Sequence, residues 1–171
     1  MTMQQYICAS FSSSSSTTTS LKKKVVFISF RGEDTRRNFT SHLCDALSKK
    51  VLAFIDETEL QRGDEISSAL IKAIEETVIS VVIFLKDYAS SKWCLHELVK
   101  ILECKRDQGQ IMILVFYDIQ TSHVRNQPGS FKEAYKNHKQ NLRHNKDKFK
   151  KWKNALIEAS NLSGWNSQDY R

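Results

Sequence analysis

Several features that mark familiar classes of protein are missing from this sequence of 171 residues. No apolar run approaches the roughly 18 residues that a membrane-spanning helix needs, so we expect a soluble domain that does not enter a membrane. The four cysteines include no Cys-x-x-Cys pair, and the five histidines show no metal-ligand spacing. These absences argue against a disulfide framework and a bound metal, and they indicate reduced, structural cysteines in an intracellular protein.

Common motifs of catalysis and nucleotide binding are missing as well. The sequence has no Gly-x-Ser-x-Gly elbow, which removes the usual basis for a Ser/His/Asp hydrolase. It has neither a Walker loop nor a Gly-x-Gly-x-x-Gly fingerprint, so ordinary nucleotide-binding folds are not indicated.

The charge balance is basic, with a formal net charge of +7 and a pI of about 9.2. A nucleic-acid surface is one explanation, and a solvated helix face is another. No aromatic residues interleave with a basic strand, as a single-strand-binding groove requires, so we favour the solvated face. Much of the basic excess lies late in the chain, at Lys132, Lys136, Lys139, Arg143, Lys146, Lys148, Lys150, Lys151 and Lys153.

Residues 1–21 differ in kind from the rest of the chain. They contain the run Ser12–Ser16 followed by Thr17–Thr19, a polar tract that cannot bury a core. A secretory signal is not indicated, because the segment has no charged start and no apolar stretch. We expect a disordered leader; the alternative is an organellar transit peptide, although arginine is absent from the segment.

Four short apolar runs follow, rich in β-branched and aromatic residues and without polar alternation. This pattern is typical of strands buried on both faces, and hence of a parallel sheet covered by helices. A fifth strand between Asp118 and Lys146 has no convincing apolar run and cannot be placed. The four runs are Val25–Phe30, Val51–Ile55, Val78–Leu85 and Ile111–Phe116.

Helical periodicity separates these runs, which predicts a doubly wound α/β domain. In such domains ligand sites form outside the carboxyl ends of the strands. A shorter helix is also predicted over Ser130–Lys139. The predicted helix faces are Phe39, Leu43, Ala46 and Leu47; Ile66, Ala69, Leu70, Ala73 and Ile74; Leu95, Leu98, Val99 and Leu102; and Phe149, Trp152, Ala155, Leu156 and Ala159.

Trp93 and Glu97 stand four residues apart in the stretch SSKWCLHEL, at the start of one predicted helix. Their side chains lie within ~40° of each other around the helix. The apolar stripe that starts at Leu95 points to the sheet, which leaves Trp93 on the opposite side and Glu97 near the margin. They could form the wall and floor of a pocket for a flat heterocycle. The alternative is a surface tryptophan beside an ordinary helical glutamate.

The loop after the first strand reads RGEDTR and carries Arg31, Gly32 and Arg36 ahead of a helix N-terminus. Guanidinium groups and backbone N–H groups together suit a phosphate or a carboxylate. As a bare pattern this is a weak signal.

Together these pieces closely resemble the plant type of the Toll/interleukin-1 receptor (TIR) domain, from about Lys24 to Trp165. The resemblance implies a flavodoxin-like α/β fold with about five parallel strands and helices on both faces. We therefore divide the chain into a leader (1–21), a TIR domain (22–165) and a C-terminal tail (166–171). The matching stretches include FISFRGEDTRRNFTSHL, AFIDETELQRGDEIS, YASSKWCLHELVKILECK, VRNQPGSF and KWKNALIEASNLSGW.

The family resemblance also implies an activity. TIR domains hydrolyse NAD+ or NADP+ at the nicotinamide–ribose bond, in some cases with formation of cyclic ADP-ribose isomers, and the dinucleotide is a substrate rather than a cofactor. The catalytic glutamate of the family lies in a Trp-Cys-Leu-x-Glu-Leu motif, which maps onto Glu97. By the same resemblance Trp93 would stack on a substrate ring, and Arg31, Gly32 and Arg36 would face the pyrophosphate or ribose.

Self-association is the second property that the resemblance implies. Ser41 and His42 match a helix-mediated association surface of plant members, and Gly129 lies in the region of a second one. The expected partners are further copies of the chain, other TIR domains and NAD(P)+, with no membrane and no nucleic acid. The implied setting is plant immune signalling in the cytoplasm, or in both cytoplasm and nucleus.

This sequence departs from the family pattern at several positions. His96 replaces a commonly acidic residue before the catalytic glutamate, a usual glycine is missing between Lys50 and Val51, and the fourth loop has lost a proline. These changes fit a weak or inactive copy, so a non-catalytic adaptor that binds other TIR domains is the alternative function. Plant receptors of this family continue into further domains, so the chain is either a TIR-only protein or a fragment.

Overall fold

The computed structural model contains a five-stranded parallel sheet. It describes residues 25–31, 39, 42–43, 46, 52–55, 68–141 and 145–170, so the predicted leader lies outside the described residues. The strands are ordered β2-β1-β3-β4-β5, which confirms the flavodoxin-like expectation. They are β1 (Val25–Ser29), β2 (Leu52–Ile55), β3 (Ile79–Phe84), β4 (Ile111–Phe116) and β5 (Trp165–Asn166).

Helices follow the strands as the periodicity predicts. Phe39, His42, Leu43 and Ala46 are helical, and Phe39 and Leu43 pack on the sheet. A short helix of six residues, with Val124 as its one buried side chain, was not predicted. The helices with complete bounds are α1 (Ser68–Glu76), α2 (Lys92–Gln108), α3 (Thr121–Asn126), α4 (Ser130–Asn141) and α5 (Lys146–Ser160), with 3-10 turns at Tyr88–Ser90 and Ser167–Tyr170.

Strands β1 and β3 are buried on both faces, which confirms the prediction made from these two apolar runs. Phe27 and Phe84 point to the face covered by α1, α2, α4 and α5, where the larger core lies. Ile28 and Ile83 point to the opposite face, against the helical segment that carries Phe39. Burial of these side chains on the two faces is the main force holding the layers together.

Helix α2 has clear start and stop signals. The Ser91 side chain accepts a hydrogen bond from the Cys94 backbone N–H at 3.3 Å, which satisfies a donor that the first turn leaves open. Gly109 ends the helix in the left-handed conformation, at φ 68°, which a residue without a Cβ adopts at little cost. The helix that carries Trp93 and Glu97 is therefore fixed at both ends.

The fifth strand lies outside the interval in which it was sought. Trp165 and Asn166 pair with Val115 and Phe116, so the strand comes after α5 and forms one edge of the sheet. A Cβ at Gly164 would lie 2.6 Å from the Phe116 ring, so only glycine allows the chain this close to β4. The predicted domain boundary at residue 165 falls inside this strand.

In the part of the chain that the structure describes, no helix is both long enough and apolar enough to cross a lipid bilayer.

Candidate active site

The candidate site lies at the carboxyl ends of β1 and β3, where the strand order reverses. Ser29 ends β1 and Arg31 follows it, while the 3-10 turn Tyr88–Ser90 links β3 to the first turn of α2. In open parallel sheets this reversal leaves a crevice between the loops. The topology thus brings together segments that are about sixty residues apart in sequence.

Glu97 is buried in this crevice, with 4% of its surface exposed. The Ser29 hydroxyl donates a hydrogen bond to its Oε2. The hydroxyl groups of Ser29 and Tyr88 are 3.0 Å apart, and the Tyr88 hydroxyl also donates to the Cys94 carbonyl at 3.0 Å. The prediction placed Glu97 near the margin of the helix; it lies inside, where the Ser29 hydroxyl takes the place of water as a hydrogen-bond donor to it.

The proton positions in this cluster follow from counting hydrogens. Ser29 has one hydroxyl hydrogen and gives it to the carboxylate, so Tyr88 must share its own hydrogen between Ser29 Oγ and the Cys94 carbonyl. Burial raises the pKa of Tyr88 well above its usual range, and the nearby Cys94 and Glu97 raise it further. Tyr88 is therefore a neutral phenol at any physiological pH and a permanent donor to the cluster.

Arg31 connects the two strand ends. Its Nη1 donates to the Asp87 carbonyl at 3.0 Å and also to the Ser90 hydroxyl. The Ser90 hydroxyl in turn donates to the same Asp87 carbonyl at 2.7 Å, which stabilises the turn. The guanidinium thus holds a positive charge beside the crevice that contains Glu97.

Trp93 does not stand apart from the core as predicted. It is half-buried and packs against the edge of the larger core. Helical periodicity alone assigned this side of α2 to solvent, because it takes no account of side chains from other elements, and Trp93 packs against the core that those side chains form. Trp93 still lies one helical turn before Glu97, on the same side of α2.

Cavities lined by described residues lie between α2 and α5. The larger, of about 310 Å³, is bounded by His96, Trp152, Lys148 and Lys151 among others. A second cavity of about 170 Å³ lies further along the same two helices. Glu97 lines neither of these two cavities.

The remaining predicted residues are placed only in part. Gly32, Arg36 and Ser41 lie outside the described residues. His42 is helical and exposed. Gly129 is exposed at the start of α4, in the left-handed conformation at φ 57°. The roles assigned to these residues, and to Glu97, Arg31 and Trp93, stay predictions.

Sequence reasoning missed Ser29, Tyr88 and Ser90 as parts of the site. Ser29 carried a signal, because it is a polar residue inside the apolar run VVFISF and such a group must find a partner when buried. Tyr88 and Ser90 carried none, since their partners are 59 residues away along the chain.

Removing the Tyr88 hydroxyl tests the cluster. We expect Tyr88→Phe to lower the free energy of unfolding by about 1–3 kcal/mol, because buried acceptors lose their donor. Tyr135→Phe is the matched control: its hydroxyl is also buried, yet meets no partner in the described part of the chain, so its loss should be neutral or stabilising. Urea denaturation of both variants measures the difference, and equal effects would contradict the proposed role of Tyr88.

Comparisons with known proteins agree on one family. A family profile described as "TIR domain" matches residues 23–171. The chain is 50% identical over 146 residues to disease resistance protein RPV1 of Vitis rotundifolia, a match that covers 85% of the chain and 10% of that protein. It is 48% identical over 140 residues to TMV resistance protein N of Nicotiana glutinosa, covering 81% of the chain and 12% of the relative.

A solved structure is similar as well. The TIR domains in the structure of the activated Roq1 resistosome, which directly recognises the pathogen effector XopQ, match with a TM-score of 0.75 and 46% identity. The match covers 85% of this chain and 89% of that one. The chain spans about a tenth of the length of the curated relatives that it matches.

Proposed function

This chain belongs to the TIR family, and we propose that it is an NAD(P)+ glycohydrolase of plant immune signalling, activated when copies of the domain assemble. The curated relatives are disease resistance proteins of plants, which supports the immune setting. The observation that carries the activity is the position of Glu97. This buried carboxylate lies at the strand-order reversal and accepts a hydrogen bond from the Ser29 hydroxyl, and Arg31 is bound at the neighbouring 3-10 turn.

The reaction requires mainly that the protein hold a negatively charged group close to the ribose. In NAD+ the C–N bond to the ribose breaks with its electron pair leaving on nicotinamide, which departs neutral and needs no proton. The ribose carbon that remains has the character of an oxocarbenium ion, which a fixed carboxylate stabilises electrostatically. Water then attacks this carbon and loses a proton, giving ADP-ribose; attack by a nucleophile within the molecule gives a cyclic product.

The enclosed position of Glu97 supports activation by assembly. Only 4% of the surface of Glu97 is exposed, so the crevice must open before the carboxylate can contact a ribose. A resistosome is the setting of the similar TIR structure. We therefore propose that contacts between copies open the crevice, through the predicted surfaces at Ser41 and His42 and around Gly129.

The second candidate function is a non-catalytic adaptor that binds other TIR domains. The same enclosure of Glu97 favours it, because a carboxylate held by internal hydroxyl groups can serve stability alone. For either function we propose a cytoplasmic or nucleo-cytoplasmic location, since the buried thiol of Cys104 forms no disulfide, as is usual in reducing compartments.

Nicotinamide release from NAD+ at increasing protein concentration tests the proposed function. We expect the rate per mole of protein to rise roughly in proportion to concentration, because assembly follows mass action. A carbocyclic NAD+ analogue, which lacks the ring oxygen, is the matched substrate control; it should bind and stay intact because it forms no oxocarbenium ion. Chromatography of the products separates linear from cyclic ADP-ribose.

Two results would count against glycohydrolase activity. Absence of nicotinamide at every concentration, with association still seen by light scattering, would leave the adaptor as the function. Cleavage of the carbocyclic analogue at the rate of NAD+ would exclude a cationic transition state.

A further inference from the structure

We propose that His138 is a positioning residue for Glu97, acting through the 3-10 turn Tyr88–Ser90. The inference rests on the proposed glycohydrolase activity and adds a residue more than forty positions beyond the site. His138 lies on α4 and is buried, with 4% of its surface exposed. Its Nε2 is 2.8 Å from the Ala89 carbonyl, in the middle of the turn.

The turn is the element through which His138 would act. Tyr88 places its hydroxyl 3.0 Å from Ser29 Oγ, the group that donates to Glu97. Ser90 and the Asp87 carbonyl bind Arg31. A shift of this turn would therefore move both a partner of the carboxylate cluster and the cation beside it.

Helix α4 fixes the turn at two points. His138 contacts the Ala89 carbonyl, and the Ser130 hydroxyl donates to the Lys86 carbonyl at 2.6 Å, just before the turn. Since a carbonyl only accepts, Nε2 of His138 must carry the hydrogen, which fixes the tautomer. His138 therefore donates a hydrogen bond to the segment that leads into α2. The contact holds that segment in position and does not involve the substrate.

Aromatic packing holds the imidazole in place. The indole of Trp152 meets the His138 ring edge-on with centroids 5.4 Å apart, and it meets the His96 ring at 5.0 Å. His96 directly precedes Glu97, so the same indole braces α2 as well. Charged groups near this stack include Lys92 on α2 and Lys148 on α5, whose Nζ lies 5.8 Å from the indole centroid. Asp147 and Lys151 line the cavity beside His96 and Trp152.

This environment keeps His138 neutral. Burial lowers the pKa of His138 from its usual 6.5, with Lys92 acting in the same direction, while the bond to Ala89 opposes the shift. The unfolded chain therefore takes up the proton more readily than the folded one. As pH falls below about 6.5, the free energy of unfolding should fall, until pH passes below the lower pKa of the folded state.

Two substitutions at His138 test the inference on the full chain. His138→Leu removes the donor and keeps an apolar side chain; we expect kcat for nicotinamide release to fall at least about 10-fold with KM less affected, since small misplacements in a site are costly. His138→Gln places an amide N–H near Nε2 and should restore most of kcat. His123→Gln, at an exposed position on α3, is the control and should match the wild type.

The outcomes separate this inference from the proposed function. A wild-type protein without nicotinamide release overturns both. An active wild type with unchanged kcat in folded His138→Leu overturns only the role of His138. Failure of His138→Gln to recover activity, with normal folding by circular dichroism, also overturns it, because the donated hydrogen bond would then be irrelevant.

A second measurement does not depend on activity. The backbone N–H groups of Ser90 and Ser91 donate to the Asp87 and Tyr88 carbonyls within the turn. We expect faster hydrogen exchange at these amides in His138→Leu, and unchanged exchange in α1. The fall in unfolding temperature between pH 7 and pH 5 should also shrink in His138→Gln relative to wild type. Unaltered exchange in the turn of the folded variant would contradict the inference.

Discussion

Replacing Glu97 with glutamine is expected to lower nicotinamide release from NAD+ by at least about 100-fold, while the domain stays folded. The amide has nearly the same shape and its oxygen still accepts the Ser29 hydrogen bond, so packing is retained. What is lost is the negative charge that stabilises the ribosyl cation. Initial rates at matched, high protein concentration, with circular dichroism of both proteins, measure the effect.

Glu103→Gln is the matched control for that experiment. Glu103 lies on the same helix, half-buried against α5 and away from the crevice. The same loss of one charge there should leave the rate within about a factor of two, because screened surface charges act weakly at a distance. Equal losses in the two variants would indicate a general electrostatic effect, and full activity of Glu97→Gln would remove Glu97 from the mechanism.

Trp152→Ala is expected to cause the largest loss of stability, about 3–5 kcal/mol in the free energy of unfolding. Trp152 is 1% exposed and packs between the rings of His96 and His138, where α5 meets α2 and α4. Removing the indole leaves a cavity at the junction of three helices. Guanidinium denaturation measures the loss from the shift of the midpoint at constant slope.

Trp165→Ala provides the comparison for Trp152. Trp165 is 60% exposed on the edge strand β5, and the substitution keeps the backbone pairing with Val115. We expect a change of about 1 kcal/mol or less. A loss at position 165 as large as that at position 152 would contradict the packing derived for the indole of Trp152.

Most strands of the sheet were predictable because each is a distinct apolar run in the sequence. Every residue of the run from Val78 to Leu85 except Ser80 is apolar, and a strand covered on both faces requires such a composition. β5 gave no such signal, since it has two residues and exposes Trp165. Its position depends on the register with Val115 and on the space left by Gly164, and both are properties of the assembled sheet.

The candidate site was predictable in its charged residues and not in their surroundings. Glu97 and Arg31 stand in recognisable stretches of sequence. The Ser29 hydroxyl reaches the buried Glu97 from β1, and the Tyr88 hydroxyl lies behind it, 3.0 Å from Ser29 Oγ. Helical periodicity describes one helix at a time, so it assigned Trp93 to solvent and did not foresee its packing against the larger core.

The order of the segments along the chain has a consequence during synthesis. Ser29, Tyr88 and Glu97 leave the ribosome well before His138 and Trp152, which come more than forty residues later. Until α4 and α5 have emerged, the turn lacks the histidine bond and the indole that brace it. An incomplete nascent chain thus contains Glu97 before it contains the His138 and Trp152 contacts that hold the turn in place.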